Sequence, residues 1–407
     1  MPLVIQKFGG SSVADTHHIF NVAKKITDVY KSGNDVVAVV SAQGDTTDKL
    51  QQLMEEITDE ASKREKDVLL SSGEQVSSSL LAMAVQKLGF PAVSLTGWQA
   101  GFLTESNHTD ARIIKIDTKR IENELKNKNI VIVAGFQGID ENGDITTLGR
   151  GGSDTSAVAL AAALNADICK IYTDVDGVYT ADPRSVVSAK KWSSLSYDTM
   201  FEMAHFGAQV LNERSIETAK KFGVTVEVLS SLSDNLSGTV ITKETKAITN
   251  TISGISLKNH LAKVTVSARD NTEKHKNLIT SEMDKTGIKI DSSMKPVGKQ
   301  NKDIFNFIVE ENHINDFLAV TKKIGIENQN IQISYEKNKS EISVINISES
   351  LNLNTASIIF ETLSEMNIDV EMVACDEKRV SVVVASECAN SAVNAIHSKL
   401  FEEDMII

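Results

Sequence analysis

Cysteine is scarce in this chain: three in 407 residues, Cys169, Cys375 and Cys388. The number is odd and the spacings fit no metal knuckle, which argues against a disulfide framework, so the three read as packing residues. Basic residues are outnumbered too, 42 Lys and Arg against 55 Asp and Glu, for a net charge of −13. The acids are scattered instead of gathered in a tail, which argues against binding nucleic acid and favours a small-molecule enzyme. No uninterrupted apolar stretch approaches bilayer length, and the N-terminal MPLVIQKFGG lacks a basic segment followed by an apolar run. No membrane partner and a cytoplasmic location are therefore expected. Missing motifs narrow the field further. There is no G-x-x-x-x-G-K-[ST], no G-x-G-x-x-G after a strand and no H-E-x-x-H, which sets aside the common P-loop, the dinucleotide fingerprint and a histidine metal site. His17, His18, His108, His205, His260, His275, His313 and His397 all fall outside the glycine-rich motifs and read as surface or packing residues.

What the chain does have is core material, 41% apolar and 24% charged, enough at this length for two or three domains. Up to about Ile241, β-branched runs alternate with helical stretches. LVIQKF, VVAVVSA, NIVIVAGF, ICKIYTDV and VTVEVL predict strands buried on both faces, with helices over 17–31, 75–88, 153–166 and 198–221. That is an α/β domain with a mostly parallel sheet. The polar stretch TKETKAITNT, Thr242 to Thr251, marks a boundary. Beyond it a strand–helix–strand–strand–helix order occurs twice. The strands are LAKVTVSA, IKIDSS and FNFIVEE, then EISVINIS, DVEMVA and RVSVVVAS, a repeat of ferredoxin-like α+β modules.

Four strand ends carry small or polar residues at the crevice where open α/β sheets bind ligands: KFGGSS, SAQGDTT, GFQG and TDVDGVYTADPR. In KFGGSS, Gly9 and Gly10 open the backbone to an anion and Lys7 adds a point charge; the stretch is a phosphate cradle or a tight strand-to-helix turn. In TLGRGGSDTSA a helix is expected from near Ser153, capped by Ser153 or Asp154, either an ordinary capped helix or one that aims its N–H groups at the crevice. Arg150, between glycines, has little to pack against but can grip a carboxylate with two parallel hydrogen bonds. Glu74, just before the expected helix, is either a first-turn acid meeting the dipole or an anchor for a substrate ammonium. Arg150 and Glu74 together would describe a zwitterionic amino acid. TDVDGVYTADPR reads as a plain loop or as a set of polar contacts to a nucleotide.

KFGGSS, VVSAQGDTTDKL, SSGEQVSSSLL, SLTGWQAGFLT, AGFQGI, TLGRGGSDTSA, TDVDGVYTADPR and FEMAHFGAQVL, in this order across residues 1–241, resemble the blocks of the aspartate kinases, within the amino acid kinase family. The resemblance implies a carbamate kinase-like three-layer α/β sandwich with a mostly parallel sheet over residues 1–245. Two ferredoxin-like ACT domains would follow over 252–336 and 340–407, or interleave. It implies transfer of the ATP γ-phosphoryl group to the side-chain carboxylate of L-aspartate, giving 4-phospho-L-aspartate, the first step of lysine, threonine and methionine biosynthesis. An acceptor that is already ionised needs no general base, which accounts for the lack of a placed histidine.

By the same resemblance Lys7 and Asp154 are the catalytic pair. Ser41, Thr47, Glu74, Arg150 and Ser153 would bind aspartate, and Gly9, Gly10, Thr173, Asp174, Tyr179, Asp182 and Arg184 would bind ATP. Mg²⁺ would be held mainly through the nucleotide phosphates, with no dedicated metal ligands. The ACT pair implies an amino-acid effector, lysine or threonine or both, and a homo-oligomer, dimer or tetramer. Asp291 is the candidate to meet the effector ammonium; as a bare residue it reads equally as a solvated strand-end carboxylate. Two departures stand out. Leu232 occupies a position where some relatives carry a Lys that reaches the nucleotide, and the usual ACT turn ending in Pro-Gly-Val is replaced by ARDNTEKHKN and SESLNLNTA. The competing readings are a kinase of glutamate, acetylglutamate or a nucleotide monophosphate on the same fold, and a catalytically weak amino-acid sensor.

Overall fold

The β-branched runs of the first half come together in one sheet. The computed structural model describes residues 1–401 apart from 59, 209, 234–236, 244–251, 269–271, 287, 289, 298–303, 329–330 and 347–351. The boundary stretch at 244–251 and the altered turns at 269–271 and 347–351 thus lie outside the described residues. Two units are distinguishable: Met1–Val178, Lys191–Ala204 and Gln209–Ala247 form one, and Tyr179–Lys190, His205–Ala208 and Ile248–Ile407 the other.

The first half begins β1 (Leu3–Phe8), α1 (Thr16–Lys31), β2 (Asp35–Val40), α2 (Thr46–Glu55), α3 (Lys63–Lys87), β3 (Ala92–Leu95), β4 (Phe102–Thr104), β5 (Ile113–Ile116), α4 (Lys119–Lys126) and β6 (Ile130–Ala134). It continues with β7 (Gln137–Ile139), β8 (Ile145–Thr147), α5 (Gly152–Ala163), β9 (Ile168–Thr173), β10 (Ser194–Ser196), α6 (Tyr197–His205), α7 (Glu213–Phe222), β11 (Val226–Ser230) and β12 (Thr239–Thr242). Among the described residues the main sheet has eight strands in the order β10-β12-β11-β9-β1-β2-β6-β3. Every neighbouring pair is parallel except β11 with β12. The five strands expected from the sequence are its centre. Val36 to Val40 and Ile130 to Ala134 are wholly buried, as strands covered on both faces must be.

Ile19, Val22 and Ile26 of α1 and Leu81 and Val85 of α3 pack on Phe8, Val36, Ala38 and Val40. Each such aliphatic side chain contributes about 1.5–3 kcal/mol by leaving water. Side chains alternate along a strand, so Lys7 faces away from Phe8, toward α5 on the opposite face. A four-stranded sheet, β5-β4-β7-β8, adds to this unit.

Several sequence expectations are corrected here. α3 begins at Lys63, not near Gln75, with Ser62 Oγ accepting from Glu65 N–H as its cap. Gly73 and Glu74, expected just before a helix, lie inside it, because small residues permit close packing: a Cβ on Gly73 would stand 2.7 Å from Ala42 Cβ. At 25 residues α3 is also long and apolar enough to cross a membrane by length and composition, although half of that window is buried within the chain. The single helix expected over 198–221 is two, α6 and α7. α5 is not capped by Ser153 or Asp154. Its N-cap is Gly151, in the left-handed region at φ 70°, which frees Asp154 for another partner.

The second unit contains β13 (Ile252–Ala268), α8 (Thr272–Thr286), β14 (Lys295–Pro296), β15 (Ile304–Glu310), α9 (Ile314–Asn328), β16 (Ile331–Asn346), α10 (Asn352–Glu365), β17 (Met372–Cys375), β18 (Arg379–Ala385) and α11 (Ser386–Phe401). Its antiparallel sheet runs β14-β17-β18-β16-β13-β15, so both copies of the repeat share one sheet. β13 and β16 are longer than the expected strands and pair from Ile252 opposite Asn346 to Ala268 opposite Ile331. IKIDSS forms no strand among the described residues; Asp291 makes a single bridge with Ile308. Ile342, Val344, Val380, Val382 and Val384 pack under α10 and α11, and Ala181 and Val186 of the segment Tyr179–Lys190 join that core.

Candidate active site

Lys7 lies near the carboxyl end of β1, in register with Val39 of β2 and Ile171 of β9. Its ammonium is 2.6 Å from Asp154 Oδ1, in the first turn of α5, and each residue is only 9% exposed. The contact is a charge pair, not an aligned hydrogen bond, since Asp154 Oδ1 has no hydrogen-bond donor among the described residues. Two opposite charges this far from water stabilise each other strongly, and removal of either would strand its partner.

The chain after β1 closes around this pair. A Cβ on Gly9 would sit 3.6 Å from Lys7 Nζ, and one on Gly10 would meet Ala42 O at 2.7 Å, so Gly10 has no room for a side chain. Gly44 N–H donates to Gly10 O at 3.0 Å, tying the loop after β2 to the loop after β1. In the short 3-10 turn that follows, Ser12 Oγ is buried with no hydrogen-bond partner among the described residues. An ammonium, a loop without side chains and an orphaned hydroxyl fit the oxygens of a phosphoryl group.

Glu74 comes from the middle of α3, not from its first turn, which corrects the helix-dipole reading. Ala42 N–H donates to its Oε1 at 3.0 Å, whereas Oε2 has no partner among the described residues. The side chain is 4% exposed, and burial pushes its carboxyl up to about 8. Ser77 Oγ, one turn on, donates to Ser41 O at 2.8 Å, so α3 holds both Ser41 and Ala42. Ser41 and Thr47 are half-buried, and Ser153 is buried against Gly135, where a Cβ would lie 2.9 Å from Ser153 Cβ. Arg150 is exposed between Gly149 and Gly151, both at positive φ, and only its carbonyl is engaged, by Asn212 Nδ2 at 2.9 Å. Its guanidinium makes no ion pair or hydrogen bond among the described residues.

One buried acid was missed in the sequence. Asp67 is fully buried on α3, and its carboxylate accepts from Thr147 Oγ1 at 2.5 Å and Thr109 N–H at 3.0 and 3.1 Å, with His108 Nδ1 at 2.9 Å. Arg214 reinforces the same region, donating to Leu148 O at 3.1 Å and Asp110 Oδ2 at 2.7 Å. The signal was available: Asp67 and Glu74 are seven apart, two helical turns, so both face inward. His108, Asp140 and Asp144 bring ligand atoms within 4.8 Å of one another, but Arg64 already pairs with Asp144 at 2.7 Å.

The expected nucleotide residues divide between the two units. Thr173 ends β9, its carbonyl accepting Ser231 N–H at 2.9 Å and its hydroxyl donating to the exposed Asp174 at 3.0 Å. Tyr179, Asp182 and Arg184 belong to the other unit. There Arg184 grips Asp182 with Nε at 3.0 Å and Nη2 at 2.9 Å, holding that carboxyl below its usual range. Leu232 is 68% exposed. Asp291 is half-buried and engaged: Ser293 N–H and Oγ donate to its Oδ1 at 2.7 and 2.6 Å, and Arg379 Nη2 to its Oδ2 at 2.9 Å. Burial alone would raise its carboxyl, but these partners hold it below the usual range.

A family model described as the amino acid kinase family matches residues 2–230, and an ACT-domain model matches residues 338–400. An aspartokinase of Bacillus sp. (strain MGA3) is 43% identical over 403 residues, covering 98% of this chain and 97% of the relative. The chain belongs to the amino acid kinase family, in its aspartokinase branch. This aspartokinase-family chain also shares its fold with E. coli aspartokinase III. The form in complex with aspartate and ADP matches at TM-score 0.79 and 22% identity, covering 98% of this chain and all of the other. The form in complex with lysine and aspartate matches at TM-score 0.73 and 23% identity, over 98% and 99%. The amino acid kinase sandwich with a mostly parallel sheet, followed by an ACT region, is thus the fold of this aspartokinase-family member.

Proposed function

We propose that the protein transfers the γ-phosphoryl group of ATP to the side-chain carboxylate of L-aspartate, giving 4-phospho-L-aspartate and ADP. The observation that carries this reading is two buried groups on the strand-end side of the first unit: a Glu74 oxygen without a partner among the described residues and a Lys7 ammonium paired with Asp154. Glu74, once ionised, meets the substrate ammonium, and Arg150 grips the α-carboxylate. Ser41, Thr47 and Ser153 supply hydroxyls around the same substrate. The free side-chain carboxylate then faces Lys7.

In the transfer a carboxylate oxygen forms a bond to the γ-phosphorus while the bond to the β–γ bridging oxygen breaks, and ADP leaves with that electron pair. No proton moves, so no base is required. What the site must supply is charge neutralisation. Lys7 meets the oxygens of the transferring group, Asp154 orients Lys7, and Gly9 and Gly10 let the backbone approach. Mg²⁺ would arrive on the nucleotide phosphates and would supply charge neutralisation beyond that of Lys7. Thr173, Asp174, Tyr179, Asp182 and Arg184 are assigned to ATP.

As a regulated first step of lysine, threonine and methionine biosynthesis, the enzyme would respond to lysine or threonine through its ACT modules and act in the cytoplasm as a homo-oligomer. The ACT-domain match and the lysine complex of the structural neighbour support the effector part of this reading. An effector ammonium at Asp291 would meet a carboxylate already bonded to Arg379. Aspartate-dependent ADP release with Mg-ATP, the acyl phosphate trapped by hydroxylamine, tests the reaction. Equal turnover with glutamate or UMP would overturn the substrate assignment.

A further inference from the structure

The segment Tyr179–Lys190, which carries Tyr179, Asp182 and Arg184, is built into the second unit by its own contacts. Ala181 and Val186 are buried in the core beneath α10 and α11. Its two ends are joined: Thr180 N–H donates to Lys190 O at 2.9 Å, and Lys190 N–H donates to Thr180 Oγ1 at 2.9 Å. Thr180 O accepts Ile255 N–H from β13 at 2.7 Å. The remaining anchors come from α11. Asn394 Nδ2 donates to Ser185 O at 2.8 Å, and Lys190 Nζ donates to Phe401 O at 3.3 Å.

His397 is the centre of this attachment. It is fully buried and stacked on Phe401, with ring centroids 4.7 Å apart. Its Nε2 is hydrogen-bonded to Thr180 Oγ1 at 2.8 Å, and its Nδ1 to Ser188 Oγ at 3.3 Å. Both ring nitrogens of a buried imidazole thus reach one segment, at points before and after Asp182 and Arg184. A side chain with two polar ends fixed eight residues apart sets the shape of the loop between them.

We propose that His397 is a positioning residue for nucleotide binding: through Thr180 and Ser188 it holds the loop that presents Tyr179, Asp182 and Arg184 to ATP. The inference rests on the assignment of that loop to the nucleotide.

Binding of Mg-AMPPNP to the full chain tests this without depending on the phosphoryl acceptor. His397→Leu keeps the volume and removes both polar ends; its dissociation constant is expected to rise at least fivefold, with kcat at saturating ATP within twofold. His397→Gln, whose amide can replace the Nε2 contact, is expected to recover most of the loss. Thr180→Val is the milder variant should His397→Leu fold poorly, and it is expected to weaken binding in the same direction. Nucleotide affinity within twofold of the parent in a folded His397→Leu or Thr180→Val would overturn the proposal. Arg184→Ala separates the two layers. If it weakens binding and the His397 and Thr180 variants do not, the loop keeps its assignment and His397 loses its role; if none weakens binding, both fall.

Discussion

Lys7 Nζ and Asp154 Oδ1 stand 2.6 Å apart, one fixed on a central strand and the other in the first turn of a helix on the face it points to. The ammonium is thus placed before any ligand arrives. An ammonium carries three donors, so Lys7 can meet a phosphoryl oxygen while it keeps its contact with Asp154. Lys7→Ala is expected to lower kcat by about 10²–10³ or more, the usual loss when one charge-stabilising donor is removed. Asp154→Asn should lower kcat with a smaller effect on the KM for ATP. Steady-state kinetics on folded variants check both, and a Lys7→Ala enzyme with near-parental kcat would remove Lys7 from the mechanism.

Glu74 makes a prediction with a definite sign. Its carboxyl is raised from 4.5 to about 8 by burial, so between those values the folded protein holds a proton that the unfolded chain has lost. Ligand-free stability should therefore decline as pH rises from about 4.5 to 8 and level off above, by an amount on the order of a few kcal/mol. Glu74→Gln is expected to flatten that slope in a thermal-melting series and to abolish aspartate binding. In the parent, affinity for aspartate should improve as pH rises toward 8, because binding an ammonium requires the ionised form.

Arg150 offers the opposite case, a side chain whose loss leaves the fold alone. It is exposed and its guanidinium has no partner among the described residues, so Arg150→Ala should leave the melting temperature unchanged. The KM for aspartate should rise by about 10–100-fold, the worth of a charge-assisted hydrogen-bonded pair. Arg150→Lys should recover only part, because an ammonium cannot make two parallel bonds to one carboxylate.

Arg379 is the structural counterpart in the second unit. It is 5% exposed, with Nη1 on Glu341 at 3.0 Å, Nη2 on Asp291 at 2.9 Å, and its guanidinium 4.2 Å over the Phe206 ring. Glu341 is itself buried, which pushes its carboxyl up. Arg379→Met should destabilise the unit by about 3–5 kcal/mol, since three carboxylates, Glu341, Asp291 and Asp376, lose their cation. Chemical denaturation followed by a probe in the second unit would measure it, and a change below about 1 kcal/mol would contradict this account.

Much of the sheet was legible because strands covered on both faces must be apolar throughout, and LVIQKF, VVAVVSA and NIVIVAGF are. The helices were harder. Ser71, Gly73, Ser77 and Ser78 are poor helix formers, so local propensity put the start of α3 too late; tertiary packing against the loop after β2 outweighs it. Asp154 and Asp291 were legible as polar residues at element ends, but not their partners, since Lys7 is 147 positions away from the first and Arg379 88 from the second. His397 had no local mark at all. Its two contacts lie 217 and 209 residues back in the chain, a distance no periodicity spans.

Ala42 is hemmed in on two sides: a Cβ on Gly10 would strike its carbonyl at 2.7 Å, and one on Gly73 its methyl at 2.7 Å. The peptide that donates to Glu74 is therefore clamped by two residues that cannot grow and is itself a residue that cannot grow. Such a spot leaves little room for gradual change. A descendant of this chain that takes a longer acid cannot gain its space at Ala42, whereas the exposed Arg150 side chain can be exchanged without moving the backbone.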